Sequence, residues 1–123
     1  MKPEPYVYYG VAVSNYDGDT LQAELDLGMG IKCKVTCRLL GLDAPEIKAK
    51  ATNEKAAALA AKQRLAALLS PGPLVFQSTT KPDKYGRLLV KIWNGDVCVN
   101  DTLLAEKLVV PYDGGTKTEF TQA

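Results

Sequence analysis

Four short stretches carry the residue types of interest: Asp17-Gly18-Asp19-Thr20, Arg38-Leu39-Leu40-Gly41-Leu42-Asp43-Ala44-Pro45-Glu46, Asp83-Lys84-Tyr85-Gly86-Arg87 and Val99-Asn100. Together they supply two carboxylates suited to a hard cation, a third carboxylate a few residues on, and two arginines. That inventory suits breaking a phosphodiester. Asp19 and Asp43, meeting at strand ends, repel each other unless a cation sits between them. Calcium takes oxygen ligands in irregular geometry, so water and backbone carbonyls can complete its shell. Glu46, placed beside such a metal, could accept a proton from water or orient that water for attack. Two guanidiniums from different strands, Arg38 and Arg87, can grip a phosphate bidentately and neutralise the charge of the transition state. Lys84 and Tyr85 suit contacts to further phosphates. Tyr112 could stack a base, but an isolated tyrosine is equally a packing residue.

Each motif alone has a plainer reading. Asp17-Gly18 is a hairpin-turn dipeptide. Asp43-Ala44-Pro45-Glu46 reads as a loop, because Pro45 steers its predecessor out of helix. Either arginine alone is a solvated surface residue. The joint occurrence carries the case.

The elements that must position these residues follow from periodicity. Val7, Tyr9, Val11 and Val13 alternate along a first strand. Leu21, Ala23, Leu25 and Leu27 alternate with polar residues along a second. Ile31, Cys33, Val35, Cys37 and Leu39 share one face of a third, and Lys32, Lys34, Thr36 and Arg38 share the other. Residues 54–69 are rich in strong helix formers, with an apolar stripe at Ala58, Ala61, Leu65, Leu68 and Leu69. Thr52 or Asn53 can cap this helix, and Pro71-Gly72-Pro73 stops it. Leu74–Thr79 and Arg87–Trp93 read as two more strands, the latter with Leu88, Val90 and Ile92 inward. Asn100 can cap a short second helix running to about Lys107. The tail after Pro111 reads as irregular. Three meandering strands, a helix and two further strands give an α+β, mainly β class: a five-stranded OB-fold barrel with two helices, one domain over residues 1–123.

Composition is that of a globular chain, 46% hydrophobic and 24% charged, and a net charge of +1 gives nucleic-acid binding no support. The distribution is more telling. Acidic residues dominate 1–28, whereas basic residues dominate 29–50 and 81–91, which suits a cation beside a polyanion. No histidine is present, so a structural zinc site is disfavoured. Cys33 and Cys37, about 13 Å apart on one strand, cannot form a disulfide. With Cys98 they read as reduced packing residues in a reducing compartment. No apolar run suits a membrane span or a signal-peptide core, so the expectation is cytoplasmic.

At these residues the chain resembles the staphylococcal nuclease (thermonuclease) family, from about Val7 to Tyr112. The order and spacing of the motifs, the Asp83–Arg87 run and the Val99-Asn100 helix start carry the resemblance. It implies an OB-type barrel and a calcium-dependent endonuclease that hydrolyses DNA and RNA with little sequence preference. Single strands are the expected preference and a monomer the expected state. Asp19, Asp43 and the backbone carbonyl of Ala44 become metal ligands, and Glu46 the group that activates or orients water. Arg38 and Arg87 become the phosphate clamp, with Lys84 and Tyr85 touching nucleotide phosphate. Ala44 stands where the well-known secreted member has threonine. The segment after Glu46 is shorter than in that member, and the usual third helix is missing. The short form with its Val110-Pro111-Tyr112-Asp113-Gly114-Gly115 stretch resembles phage or prophage versions. The alternative is a non-catalytic OB-fold module that binds single-stranded nucleic acid. Intact carboxylates argue against it, since negative charge is a liability in a nucleic-acid groove. A structural interaction domain is the third reading.

Overall fold

The computed structural model describes residues 6–45, 52–70 and 72–112. Glu46, Pro71, the side chains of Thr52, Asn53 and Glu54, and the tail from Asp113 lie outside the described residues. The elements are β1 (Val7–Asn15), β2 (Thr20–Gly28), β3 (Ile31–Leu39), β4 (Leu42–Asp43), α1 (Thr52–Leu68), β5 (Leu74–Ser78), β6 (Leu88–Asn94), β7 (Val97–Cys98), α2 (Val99–Ala105) and β8 (Val110–Pro111).

The sheet runs β3-β2-β1-β5-β6-β7, and β6 returns to pair with β3, closing a five-stranded mixed barrel. The closing pair is parallel, through Cys37↔Leu88, Arg38↔Leu89 and Leu39↔Val90, while the other barrel pairs are antiparallel. Closure removes the exposed edges that an open sheet would present. It also brings the strand that follows Arg87 alongside the strand that carries Arg38.

Leu21, Ala23 and Leu25 of β2 face a core that also holds Cys37, Leu39, Leu74, Phe76, Val90 and Ile92, whereas Leu27, the last of the alternating set, is exposed. Helix α1 buries Ala58, Ala61, Leu65 and the following Leu69, as its stripe requires, with Leu68 half-buried against the cluster. A bidentate Arg64–Glu106 pair at 2.8 Å ties the outer side of α1 to the end of α2.

The alternation expected on β1 is present, and its apolar residues point outward: Val7, Tyr9, Val11 and Val13 are exposed. Gly10 and Ala12 face inward instead, opposite Leu25 and Ala23. A side chain at position 10 has no room, since a Cβ there would stand 2.6 Å from the Glu24 carbonyl oxygen and 3.1 Å from the Phe76 ring. On β3 the shared face is buried in the core at Cys37 and Leu39, with Val35 partly buried against it. Ile31 and Cys33 are exposed because the β2–β3 hairpin extends past the segment that β6 covers, and Met29 at its tip is 92% exposed. Cys33 is therefore no packing residue. Burial pushes the Cys37 thiol up to about 12, consistent with an inert core group. Asn100 does not cap α2. The cap position is Cys98, with no side-chain cap bond, and Asn100 lies within the helix, 1% exposed.

Candidate active site

The turn between β1 and β2 is built by Asp17. Its Oδ1 accepts the backbone N–H groups of Asp19 at 3.0 Å and Thr20 at 2.9 Å, the hydrogen bonding that makes aspartate a turn former. Gly18 then allows close approach. A Cβ there would stand 2.6 Å from the Ala61 Cβ on α1 and 3.0 Å from the Ala44 Cβ. The turn thus nests between the helix and the segment after β4.

Asp19 is held from three sides. Its Oδ2 accepts the N–H of Ala44 at 2.8 Å, its Oδ1 accepts the Thr20 hydroxyl at 2.8 Å, and its own carbonyl accepts the Leu39 N–H at 2.8 Å. Asp43 reaches the same place from β4. That short strand pairs with β8, Leu42↔Pro111 and Asp43↔Val110. Both carboxylates are buried, at 5% and 6% exposure.

One guanidinium joins them. Arg38 Nη2 donates to Asp43 Oδ1 at 2.9 Å, Nη1 donates to the Leu42 carbonyl at 3.1 Å, and Nη1 lies 3.5 Å from Asp19 Oδ2. The Tyr112 ring lies against the same guanidinium, 5.5 Å from its centre, with the Tyr112 N–H donated to the Gly41 carbonyl at 2.9 Å. Two buried like charges thus converge on one guanidinium, whose removal would leave both carboxylates without that compensating charge.

The titration of the turn follows. Burial pushes the Asp17 carboxyl up to about 7, helped by the hydrogen bond and negative charge of Asp19. Burial pushes Asp19 the same way but is outweighed by the Asp17 proton, the Arg38 charge and the Ala44 N–H, so Asp19 stays below the usual carboxylate range. Asp19 is the ionised member of the pair.

Arg87 belongs to a second cluster, organised by Asp83. Asp83 Oδ1 accepts the N–H groups of Tyr85 and Arg87, each at 2.9 Å, and Oδ2 accepts Arg87 Nε at 2.8 Å. Burial raises the Asp83 carboxyl but is outweighed by those N–H groups and the guanidinium, so its pKa lies below the ordinary value. The exposed Tyr85 ring is flanked by Lys84 Nζ at 5.3 Å and the Arg87 guanidinium at 5.1 Å.

The structure therefore brings Asp19, Arg38, Asp43, Ala44 and Tyr112 together, and places Lys84, Tyr85 and Arg87 around Asp83. Sequence reasoning missed Thr20, which bonds Asp19, and Asp83, which fixes Arg87. An aspartate four residues before an arginine across a glycine turn is the signal that could have found the latter. It also missed the task of Asn100. That side chain accepts the Ile92 N–H at 3.1 Å and donates to the Leu40 and Val90 carbonyls at 2.9 and 3.1 Å. It clamps α2 and β6 to the turn between Arg38 and Asp43.

The sequence model of the family described as staphylococcal nuclease homologue matches residues 36–120. The chain belongs to this family. No curated protein matches the chain. The matched span of the staphylococcal nuclease homologue includes Arg38, Asp43, Ala44, Glu46, the Asp83–Arg87 loop and Tyr112. Asp19 lies before it. What joins Asp19 to the family segment is geometry, through Ala44 and Arg38. The closed mixed barrel with two helices is the family's nuclease-like fold.

Proposed function

We propose that the protein is a calcium-dependent endonuclease that hydrolyses phosphodiester bonds of DNA and RNA with little sequence specificity. The observation that carries this reading is the convergence of two buried carboxylates, Asp19 and Asp43, on one guanidinium inside a domain of this family.

The donor set suits calcium. Asp19 and Asp43 offer hard carboxylate oxygens, and their shared contact with the Arg38 guanidinium supports a preference for positive charge there. Among the described residues no group of three or more His, Cys, Asp or Glu converges, so backbone carbonyl, water and substrate oxygens would complete the shell. The Ala44 carbonyl, next to Asp43 in sequence, is the backbone ligand that the family resemblance implies. When bound, calcium supplies Lewis-acid polarisation of a phosphoryl oxygen.

The chain's own residues supply the rest. Arg38, already oriented by the Leu42 carbonyl, presents a planar donor fork to a non-bridging phosphate oxygen. Arg87, steered by Asp83, adds a second positive charge as the phosphorus gains a fifth oxygen. Glu46, three residues after Asp43, takes the proton of the attacking water while the water oxygen bonds to phosphorus, the opposite P–O bond breaks and the leaving oxygen takes a proton from solvent. Lys84 and Tyr85 bind the flanking nucleotide, and Tyr112 offers a ring for a base.

The test is digestion of single-stranded DNA with calcium, then with excess chelator, by wild type and Glu46→Ala. The expected result is cleavage only with calcium and a loss of at least about a hundredfold in the variant, the scale of a positioned acid–base group. Calcium-independent cleavage, or near-full activity of Glu46→Ala, would overturn the scheme.

A further inference from the structure

The outer barrel wall beside the carboxylates is not smooth. A cleft of about 570 Å3 opens between β1, β2, β3 and α1, and its lining includes Tyr16, Thr20, Gln22, Thr36 and Lys62. That volume falls in the range of small-molecule sites.

Strand register fixes where the cleft lies. Thr20 pairs with Arg38, and Gln22 pairs with Thr36. Residues opposite each other in an antiparallel pair share a face, so Thr20, Arg38, Gln22 and Thr36 point outward together. The Gln22–Thr36 pair is two residues from Arg38, about 7 Å along the strand. Thr20 is both a wall of the cleft and a hydrogen-bond donor to Asp19 Oδ1 at 2.8 Å. The cleft therefore begins where the carboxylate site ends.

Its chemistry is specific. Tyr16 is 56% exposed and presents an aromatic face. Among the described lining residues Lys62 is the one cation, and none is a carboxylate. Gln22, Thr20 and Thr36 contribute an amide and two hydroxyls. The walls are fixed relative to each other, because Asn15 Nδ2 donates to the Lys62 carbonyl at 2.8 Å and to the Asp17 carbonyl at 3.1 Å. An aromatic ring, an ammonium and neutral hydrogen-bonding groups are what one nucleotide needs for stacking, phosphate contact and base or sugar contact.

We propose that this cleft is a subsite for the nucleotide adjoining the phosphate at Arg38, with Tyr16 stacking its base and Lys62 contacting its outer phosphate. The ligand is one nucleotide of a single strand that continues past the carboxylates. The inference rests on the phosphodiesterase reading for its orientation, but its test does not depend on cleavage.

Binding of fluorescent hexathymidylate, and of the same backbone carrying abasic residues throughout, is measured by anisotropy in chelator over a range of salt. Wild type, Tyr16→Ala and Lys62→Gln are compared. Tyr16→Ala is expected to lower the preference for thymidylate over the abasic strand at least about fivefold, as loss of one stacked base requires. Lys62→Gln is expected to weaken both strands alike and to reduce the salt slope by about one, as loss of one phosphate contact requires. A general loss of structure would not separate the two variants in this way. An unchanged preference in Tyr16→Ala, an unchanged salt slope in Lys62→Gln, or no binding by wild type would overturn the subsite. The expected couplings without any calcium-dependent cleavage would instead remove the nuclease reading and leave the subsite standing.

Discussion

The Asp19 carboxylate accepts the backbone N–H of Ala44 at 2.8 Å, a contact that joins residues 25 apart in sequence. It fixes the segment after β4 through its main chain, not its side chain. Alanine in place of the threonine expected from the family resemblance leaves that contact intact. Removing the acceptor does not. Asp19→Ala leaves a buried N–H without its partner and Arg38 with half its counter-charge. A loss of about 2–4 kcal/mol is expected in urea unfolding at pH 7. Asp17→Ala removes a turn former and the acceptor of two N–H groups, but leaves the Asp19–Ala44 link in place. It should cost less, about 1 kcal/mol. An equal cost for the two would mean that the turn, not the cross-link, stabilises this corner.

Gly18 offers a test of packing at the same corner. Gly18→Ala places a methyl 2.6 Å from the Ala61 Cβ and 3.0 Å from the Ala44 Cβ. The expected cost is about 1–3 kcal/mol, the range for overpacking. Ala61→Gly alone should cost about 1 kcal/mol as a helix-interior glycine. Combined, the two should cost less than their sum by at least about 0.5 kcal/mol, because each relieves the other. Strict additivity in a double-mutant cycle would show that the clash is absorbed by movement elsewhere.

Asp83 predicts a pH dependence. Its carboxyl has a folded-state pKa below the ordinary value, so the ionised form is the one that folding favours. Such a group stabilises fully above its unfolded pKa of about 3.9, and the contribution disappears as pH falls through the lower folded value. Asp83→Asn keeps an oxygen for the Tyr85 and Arg87 N–H groups but removes the charge facing the Arg87 guanidinium. The variant should be less stable than wild type by about 1–3 kcal/mol between pH 5 and 7, with the gap narrowing below about pH 4. Urea midpoints across that range decide it, and a gap that widens towards low pH would reverse the sign of the argument.

Asn100 shows where the sequence was legible and where it was not. The alternation of Leu21, Ala23 and Leu25, the stripe of α1 and the order of elements are local patterns, and the structure contains them. The carboxylate residues and Arg38 were recognisable as a set because their types and order are unusual together. Tertiary relationships left no local trace. Nothing in Val99-Asn100 distinguishes a helix cap from a buried clamp, because the partners, Leu40, Val90 and Ile92, come from other elements. Nor does β1 announce that its valines face outward, since that depends on Phe76 filling the space over Gly10. The parallel closure of β6 on β3 likewise arises only when the barrel forms. Asn100→Ala removes the side-chain partner of the Ile92 N–H and of the Leu40 carbonyl, while the Val90 carbonyl keeps the Leu40 N–H at 2.8 Å. A loss of at least about 3 kcal/mol is expected in thermal or urea unfolding. A loss under 1 kcal/mol would mean that water replaces the clamp.

Arg38 stands where the proposed cation would also act, and that competition can be measured. The guanidinium is a positive partner of both buried carboxylates, with 12% of its side chain exposed. Arg38→Ala takes the guanidinium from two buried carboxylates, and removing one partner of a buried ion pair costs about 3–5 kcal/mol. A cation that binds only the folded state stabilises by mass action, about 2.7 kcal/mol at a concentration a hundred times its dissociation constant. In the variant, Asp19 and Asp43 lose the competing Arg38 charge, so their attraction for calcium rises. Calcium should therefore raise the unfolding midpoint of Arg38→Ala more than that of wild type, while nuclease activity falls at least about a hundredfold through loss of the phosphate clamp. Unfolding of both proteins with calcium and with chelator separates the two roles. A calcium shift no larger in Arg38→Ala than in wild type would show that the guanidinium and the cation do not share these carboxylates.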